Sequence, residues 1–171
     1  DVSISGTIYT DGSRLDGGDN RLARNGWSFV AVDADNKVTA SANGTPPDWI
    51  TDIPGSEAWA LYQAALRATP GSRFKADCRP CLMAAWRGKE WACSSGRPHA
   101  RINALLLRAL DDVPADHLIW VPAHTSMADI GRKTLSDGSL LTATDRWANG
   151  IADSLAKQAV EQHRVPIQTR D

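Results

Sequence analysis

The chain has 171 residues, ample for one domain with a real hydrophobic core. Its 42% hydrophobic and 23% charged residues are ordinary for a globular protein, and no apolar run approaches the roughly 20 residues needed to cross a bilayer. A net charge of −1 argues against a nucleic-acid partner, but residues 73–101 sum to +5 while residues 1–72 and 102–171 sum to −4 and −2, and patches steer polyanions where totals do not. The chain opens at Asp1 without Met or a signal pattern, so the expectation is a single domain, residues 1–171, excised from a longer protein. Three cysteines, an odd and low number, suit a reducing compartment, nucleus or cytoplasm, better than secretion.

Thr7-Ile-Tyr-Thr-Asp11 is β-branched and aromatic and is broken by Gly12-Ser13, which predicts a strand ending at Asp11. Residues 14–25, with Gly17-Gly18 and Asp19-Asn20, read as a loop. Trp27-Ser-Phe-Val-Ala-Val32 and Lys37-Val-Thr-Ala-Ser41, joined at Asp35-Asn36, complete a three-stranded antiparallel meander. After a Pro-rich connection, Gly55-Ser56 opens a helix with Ser56 as N-cap and Ala58, Leu61, Tyr62, Ala65 and Leu66 as its apolar face. Pro70-Gly71 ends it. A short strand over 74–77 follows, then a helix over 81–87 with Pro80 as its first residue, and a loop over 88–98. A helix over 100–110, a strand over 117–121 and a long loop over 125–141 lead to a final helix over 143–163 with Trp147, Ile151, Leu155 and Ala159 along one side. The order is βββαβααβα.

Four acids occupy suggestive places. Asp11 ends the first strand, Asp77 ends the fourth, Glu57 lies in the first turn of its helix, and Asp153 follows Asn149 by one turn on the last helix. If the first helix crosses over, strands one and four pair in parallel and their carboxylates emerge at one edge. Clustered carboxylates repel and need a cation, and open oxygen ligands suit Mg²⁺. Each acid alone is also what a helix cap or dipole partner looks like, so the whole set carries the argument.

The motifs are specific. Tyr9-Thr-Asp-Gly-Ser13, Gly55-Ser-Glu-Ala-Trp-Ala-Leu-Tyr-Gln-Ala-Ala-Leu66, Lys75-Ala-Asp-Cys78, Trp120-Val-Pro-Ala-His124 and Asn149-Gly-Ile-Ala-Asp-Ser-Leu-Ala156 together resemble, in order, the motifs of the type 1 ribonuclease H family, across roughly residues 4–160. The resemblance implies an α/β ribonuclease H-like fold: a five-stranded mixed sheet, three antiparallel strands then two parallel, flanked by helices. It implies an endonuclease that hydrolyses the RNA strand of RNA–DNA hybrids with two Mg²⁺ ions, Mn²⁺ being an alternative, and leaves 5′-phosphate and 3′-hydroxyl ends. Asp11, Glu57, Asp77 and Asp153 match the metal-binding carboxylates, His124 a mobile-loop histidine that assists proton transfer or product release, and Asn149 a polar residue near the site. Gly12 and Ser13 fall where the backbone approaches the RNA strand and its 2′-hydroxyls. Two departures stand out. Residues 125–148 form an insertion between His124 and Asn149 like those of retroelement-type relatives, which suggests an attached reverse transcriptase. The basic protrusion that grips the DNA strand in many relatives is reduced here to Arg87, Lys89, Arg97 and Arg101, interleaved with Trp86 and Trp91. A monomer, acting on hybrids and not on membranes, is the expectation.

Other readings stay open. Cys78-Arg-Pro-Cys81 imitates a thioredoxin-type redox motif, and Cys78, Cys81, Cys93 and His99 could by spacing hold zinc. A catalytically inactive scaffold or binding module on the same fold is the rival of a different class, and a transposase-like relative a third.

Overall fold

A computed structural model describes residues 3–16, 18–19, 22–94 and 96–166. Strands β1 (Thr7–Leu15), β2 (Arg24–Val32) and β3 (Val38–Gly44) form the antiparallel meander. Helix α1 (Ile53–Arg67) carries the chain to β4 (Arg73–Ala76), which pairs in parallel with β1. Helices α2 (Arg79–Arg87), α3 (Lys89–Ala92) and α4 (Ala100–Ala109) lead to β5 (Leu118–Trp120), parallel to β4, and α5 (Ala143–Gln162) follows. The sheet order is β3-β2-β1-β4-β5, the anticipated mixed five-stranded sheet flanked by helices.

Strand alternation sorts the two faces. Ile8, Phe29, Ala31, Phe74 and Ala76 point to one side and bury Leu61 of α1, Leu82 of α2 and Ile102 and Leu106 of α4. Tyr9, Val30 and Val32 point to the other and meet Ala148 and Ala152 of α5. That second layer is thin. A Cβ on Gly26 would lie 2.4 Å from the Ala156 carbonyl oxygen, so α5 rests almost directly on the sheet backbone. The Ser28 hydroxyl donates to the Ala152 carbonyl, and Asn43 Nδ2 donates to that of Leu155 at 2.8 Å.

Several expectations need correction. The buried face of α5 is Ala148, Ala152, Ala156, Ala159 and Val160; of the expected line only Ala159 is on it, Ile151 and Leu155 pack at its edge, and Trp147 is 49% exposed. Close approach selects small side chains, and the larger ones sit at the flanks. β1 does not end at Asp11, because Gly12 and Ser13 stay paired with Trp27 and Gly26 of β2. The loop expected over residues 14–25 shrinks accordingly, and Gly17 and Asn20 within it lie outside the described residues. α1 starts earlier than expected and is capped by Asp52, whose Oδ1 accepts from the Gly55 amide at 2.8 Å, while Ser56 Oγ donates to the Asp52 carbonyl. Glu57 therefore sits in the second turn, and Leu66, at the far end of the helix, is exposed. Pro80 is the second residue of α2, and the segment expected as a loop over 88–98 contains α3. In the segment between β5 and α5, Leu135 and Leu141 are buried against Ile119 and Val121. A single 3₁₀ turn, Met127–Asp129, is closed there by reciprocal hydrogen bonds with Ser126.

Candidate active site

Where β4 stops at Ala76, β1 continues, and the edge of β1 beyond Thr10 is left without a partner strand on that side. The N-terminal part of α1 fills that space. A Cβ on Gly12 would fall 2.7 Å from the Glu57 amide nitrogen, so the glycine lets the helix backbone close onto the strand. Asp11, one residue before it, and Asp77, one residue past the β4 end, continue the Thr10–Ala76 register. Carboxylate oxygens of Asp11, Glu57 and Asp77 consequently lie within 4.8 Å of one another. Asp11 is 4% exposed and Glu57 6%.

Bringing three carboxylates together out of water opposes their ionisation. Burial pushes Asp11 up to about 7, with the charges of Asp77 and Asp153 adding to it and hydrogen bonds from Glu57 and the Gly12 amide opposing it. Burial also lifts Glu57 well above the ordinary range, reinforced by Asp11 and Asp77. Asp77 is raised by burial and by Asp153, while a hydrogen bond from Asn149 and the nearby His124 pull it down. Glu57 Oε2 is buried with no hydrogen-bond partner. An orphaned carboxylate oxygen beside two more carboxylates is the donor set that a hard divalent cation satisfies.

The fourth acid is placed differently. Asp153 raises both Asp11 and Asp77 by its charge, yet its own Oδ2 is turned to Lys157 Nζ at 2.8 Å and it stands outside the tight group of three. Lys157 in turn is raised by Asp153 first, with Asp11 contributing. Lys157 is thus a cation at the rim that sequence reading missed, although its i+4 spacing from Asp153 was there to be seen. Asn149 reaches Asp77 from the same helix. His124 is exposed, with a left-handed φ of 54°, close enough to act on Asp77. Ser13 is buried and Gly12 half-buried, both within the β1–β2 ladder.

Sequence reading also missed a buried ion pair beneath the site. Tyr9 and Lys75 are register partners on β1 and β4, two residues before Asp11 and Asp77 on the same sheet face. The Tyr9 hydroxyl and Lys75 Nζ both donate to Asp145 Oδ1, each at 2.6 Å. Asp145 also closes a capping box with Thr142 at the start of α5. Burial raises the Asp145 carboxyl, but hydrogen bonds from Lys75, Tyr9 and the Thr142 amide together hold it below the ordinary value. The capping box is legible in sequence, but partners 136 and 70 residues away are not.

The basic segment lies on the surface. Arg87, Lys89, Arg97 and Arg101 are exposed. The Arg87 and Arg97 guanidinium groups stack on the Trp91 ring, 4.8 and 3.8 Å from its centroid, and Arg101 stacks on Trp49 at 4.0 Å. Arg79 does the same on Trp120 at 4.7 Å. Trp86 is structural, its Nε1 donating to the Leu118 carbonyl. Of the zinc set considered above, His99 is held by Asp52 at 2.7 Å, and among the described residues the carboxylate trio is the one group suited to a metal.

No family model matches the sequence, and no curated protein matches it. Solved structures do. A foamy viral protease-reverse transcriptase, solved with dsDNA, aligns over 93% of this chain and 96% of its own, with TM-score 0.65 and 16% identity. RNase H1 of the halophilic archaeon Halobacterium salinarum aligns over 91% and 97%, with TM-score 0.52 and 16% identity. LC11-RNase H1, solved in complex with RNA/DNA hybrid, aligns over 92% and 97%, with TM-score 0.57 and 15% identity. The fold is that of ribonuclease H. Against longer foamy virus protease-reverse transcriptase chains, this chain covers 21% of their length. The acid trio of the present chain sits on this fold where β1, β4 and the N-terminal part of α1 converge.

Proposed function

We propose that this chain is a metal-dependent endonuclease that hydrolyses the RNA strand of RNA–DNA hybrids and leaves 5′-phosphate and 3′-hydroxyl ends. The observation that carries the reading is the meeting of Asp11, Glu57 and Asp77 within 4.8 Å on a ribonuclease H fold, with Asp153 beside them. These four carboxylates would hold two Mg²⁺ ions, or Mn²⁺ in their place. Such a pair supplies an activated water and neutralises the charge on the leaving oxygen.

The chain's own groups do the rest. Asn149 hydrogen-bonds Asp77 and holds its orientation. Lys157 holds Asp153 at the rim until that carboxylate is drawn inward. His124, exposed beside Asp77, is suited to carry a proton to or from the reacting phosphate or to help product leave. The backbone at Gly12 and Ser13 faces the RNA strand and distinguishes its 2′-hydroxyls. Arg87, Lys89, Arg97 and Arg101 bind phosphates of the DNA strand, with Trp91 and Trp49 fixing three of them in advance. The domain acts as a monomer inside the cell, joined to a reverse transcriptase in the longer protein.

The test is direct. Labelled RNA–DNA hybrid, duplex RNA and single-stranded RNA are incubated with the chain, with Mg²⁺ or with EDTA. Cleavage confined to the RNA of the hybrid and dependent on Mg²⁺ is the expected result. Tight hybrid binding without cleavage in Mg²⁺ or Mn²⁺ would instead establish an inactive binding module.

A further inference from the structure

Two thiols lie against the carboxylate site without a part in the reaction above. Cys78 follows Asp77 directly and is the N-cap of α2, and Cys81 lies one turn further on. The Cys81 thiol donates to Cys78 Sγ at 3.0 Å and to the Pro54 carbonyl of α1 at 3.4 Å. Neither is in a disulfide. Cys81 is 4% exposed, whereas Cys78 is partly open to solvent. The two sulfurs need to close by only about 1 Å to reach covalent length. An accessible sulfur at a helix N-terminus with a buried partner at the Cys-x-x-Cys spacing is the arrangement of an attacking and a resolving thiol.

We propose that Cys78 and Cys81 form a reversible disulfide whose closure weakens cation binding at the adjoining carboxylates; this second half rests on reading those carboxylates as the metal centre. The oxidant is a low-molecular-weight disulfide such as oxidised glutathione. Cys78 gives its thiol proton to solvent and its sulfur attacks one of the two glutathione sulfurs; the glutathione S–S bond breaks, a mixed disulfide forms on Cys78, and the first glutathione leaves as thiolate and takes up a proton. Cys81 then gives its proton to solvent and attacks the Cys78 sulfur, breaking the mixed disulfide and expelling the second glutathione as a thiolate that takes up a proton. Two cysteine thiols are oxidised by two electrons and one external disulfide is reduced to two thiols.

The carboxylate site feels this through two connections. Asp77 and Cys78 share a peptide bond, and the Asp77 carbonyl is anchored by Trp120 Nε1 at 3.2 Å, so drawing Cys78 towards Cys81 twists the segment that aims Asp77. Oxidation also removes the Cys81 proton that bonds the Pro54 carbonyl, loosening the turn of α1 three residues before Glu57.

The test uses the full chain with Cys93→Ser, so that only this pair reacts. After oxidised glutathione, the intact mass should fall by two hydrogen atoms with no adduct retained. With Cys81→Ala added, the reaction should stop at a single glutathione adduct, and with Cys78→Ser added it should not begin. A parent chain that stays reduced, or that accumulates a stable adduct, would overturn the proposal. The Mg²⁺ concentration giving half of the Mg²⁺-induced rise in Tm should then increase by about tenfold or more on oxidation, the scale of loss when the supports of metal ligands are disturbed, and return with dithiothreitol. A disulfide with an unchanged Mg²⁺ response would overturn the link to the site. Hybrid cleavage followed alongside separates the two readings: a reduced chain that binds Mg²⁺ but never cuts refutes the nuclease assignment and leaves the dithiol results standing.

Discussion

At the junction of β1, β4 and α1 the carboxylates are buried or half-buried and face one another, whereas along residues 79–101 the arginines are exposed and lie on tryptophan rings. The acids are held by a sheet register, a glycine contact and the buried Tyr9–Asp145–Lys75 group, and their closeness is unfavourable until a cation joins them. The arginines are exposed, and among the described residues they are held by stacking on tryptophan rings. The acids are fixed by the backbone and pressed together against their own repulsion, while the arginines are left on the surface and guided by aromatic partners.

The largest expected effect comes from breaking the buried half. Asp11→Asn or Asp77→Asn should lower Mg²⁺-dependent cleavage by about a thousandfold or more, because several kcal/mol of charge stabilisation go with the cation. Hybrid affinity, measured by filter binding in Ca²⁺ or EDTA, should stay near that of the parent. Near-normal turnover in either variant would refute the assignment.

Removing the support beneath the acids is next. Asp145→Ala leaves the Lys75 ammonium and the Tyr9 hydroxyl without their shared acceptor, and should cost about 3–5 kcal/mol in denaturant unfolding. A loss below about 1 kcal/mol, the scale of an exposed pair, would mean that the group does not hold the two site strands together.

The raised carboxyls predict a pH dependence that sharpens the contrast. Their folded-state pKa values exceed the unfolded ones, so the contribution of protonated Asp11, Glu57 and Asp77 to stability is complete below about pH 4 and is lost as pH rises through the folded-state values, for Asp11 about 7. Mg²⁺ replaces the protons. The difference in Tm between Mg²⁺ and EDTA should therefore be small at pH 5 and several degrees larger at pH 8, at roughly 2–4 °C per kcal/mol for a chain of this size. An equal difference at both pH values would contradict the shared cation site.

The surface half should yield binding effects only. Changing Arg87, Lys89, Arg97 and Arg101 to Ala should raise KM about tenfold or more and reduce the salt slope of hybrid binding by roughly 3–4, leaving kcat at saturation unchanged. An unaltered salt slope would locate the hybrid elsewhere, with Arg132 and Lys133 of the inserted segment the next to test. Trp91→Ala is the mildest change. It frees two stacked arginines, each held by about 0.5–1 kcal/mol, and should raise KM only a few-fold with the salt slope intact.

The amino-acid sequence by itself determined the order of the five strands and of the longer helices, the placing of Asp77 just past β4, and the basic segment, because local periodicity, turn residues and charge runs are properties of neighbouring residues. It also showed Glu57 and Asp153 as candidates through their motifs. Only the tertiary structure decided that Asp11, Glu57 and Asp77 close into one group while Asp153 turns to Lys157. It decided too that Trp86 anchors a strand carbonyl while Trp91 carries arginines, although both sit in the same basic stretch. The misread ends have one cause. Gly12 looks like a strand breaker because it lacks a side chain, but that lack is what lets α1 close on a strand whose pairing with β2 carries it onward. The buried line of α5 was misjudged for a similar reason: Gly26 brings that helix down onto the sheet, and the buried face is mostly alanine with Val160 packed against the glycine, a selection made by distance across the fold rather than by hydrophobicity along the chain.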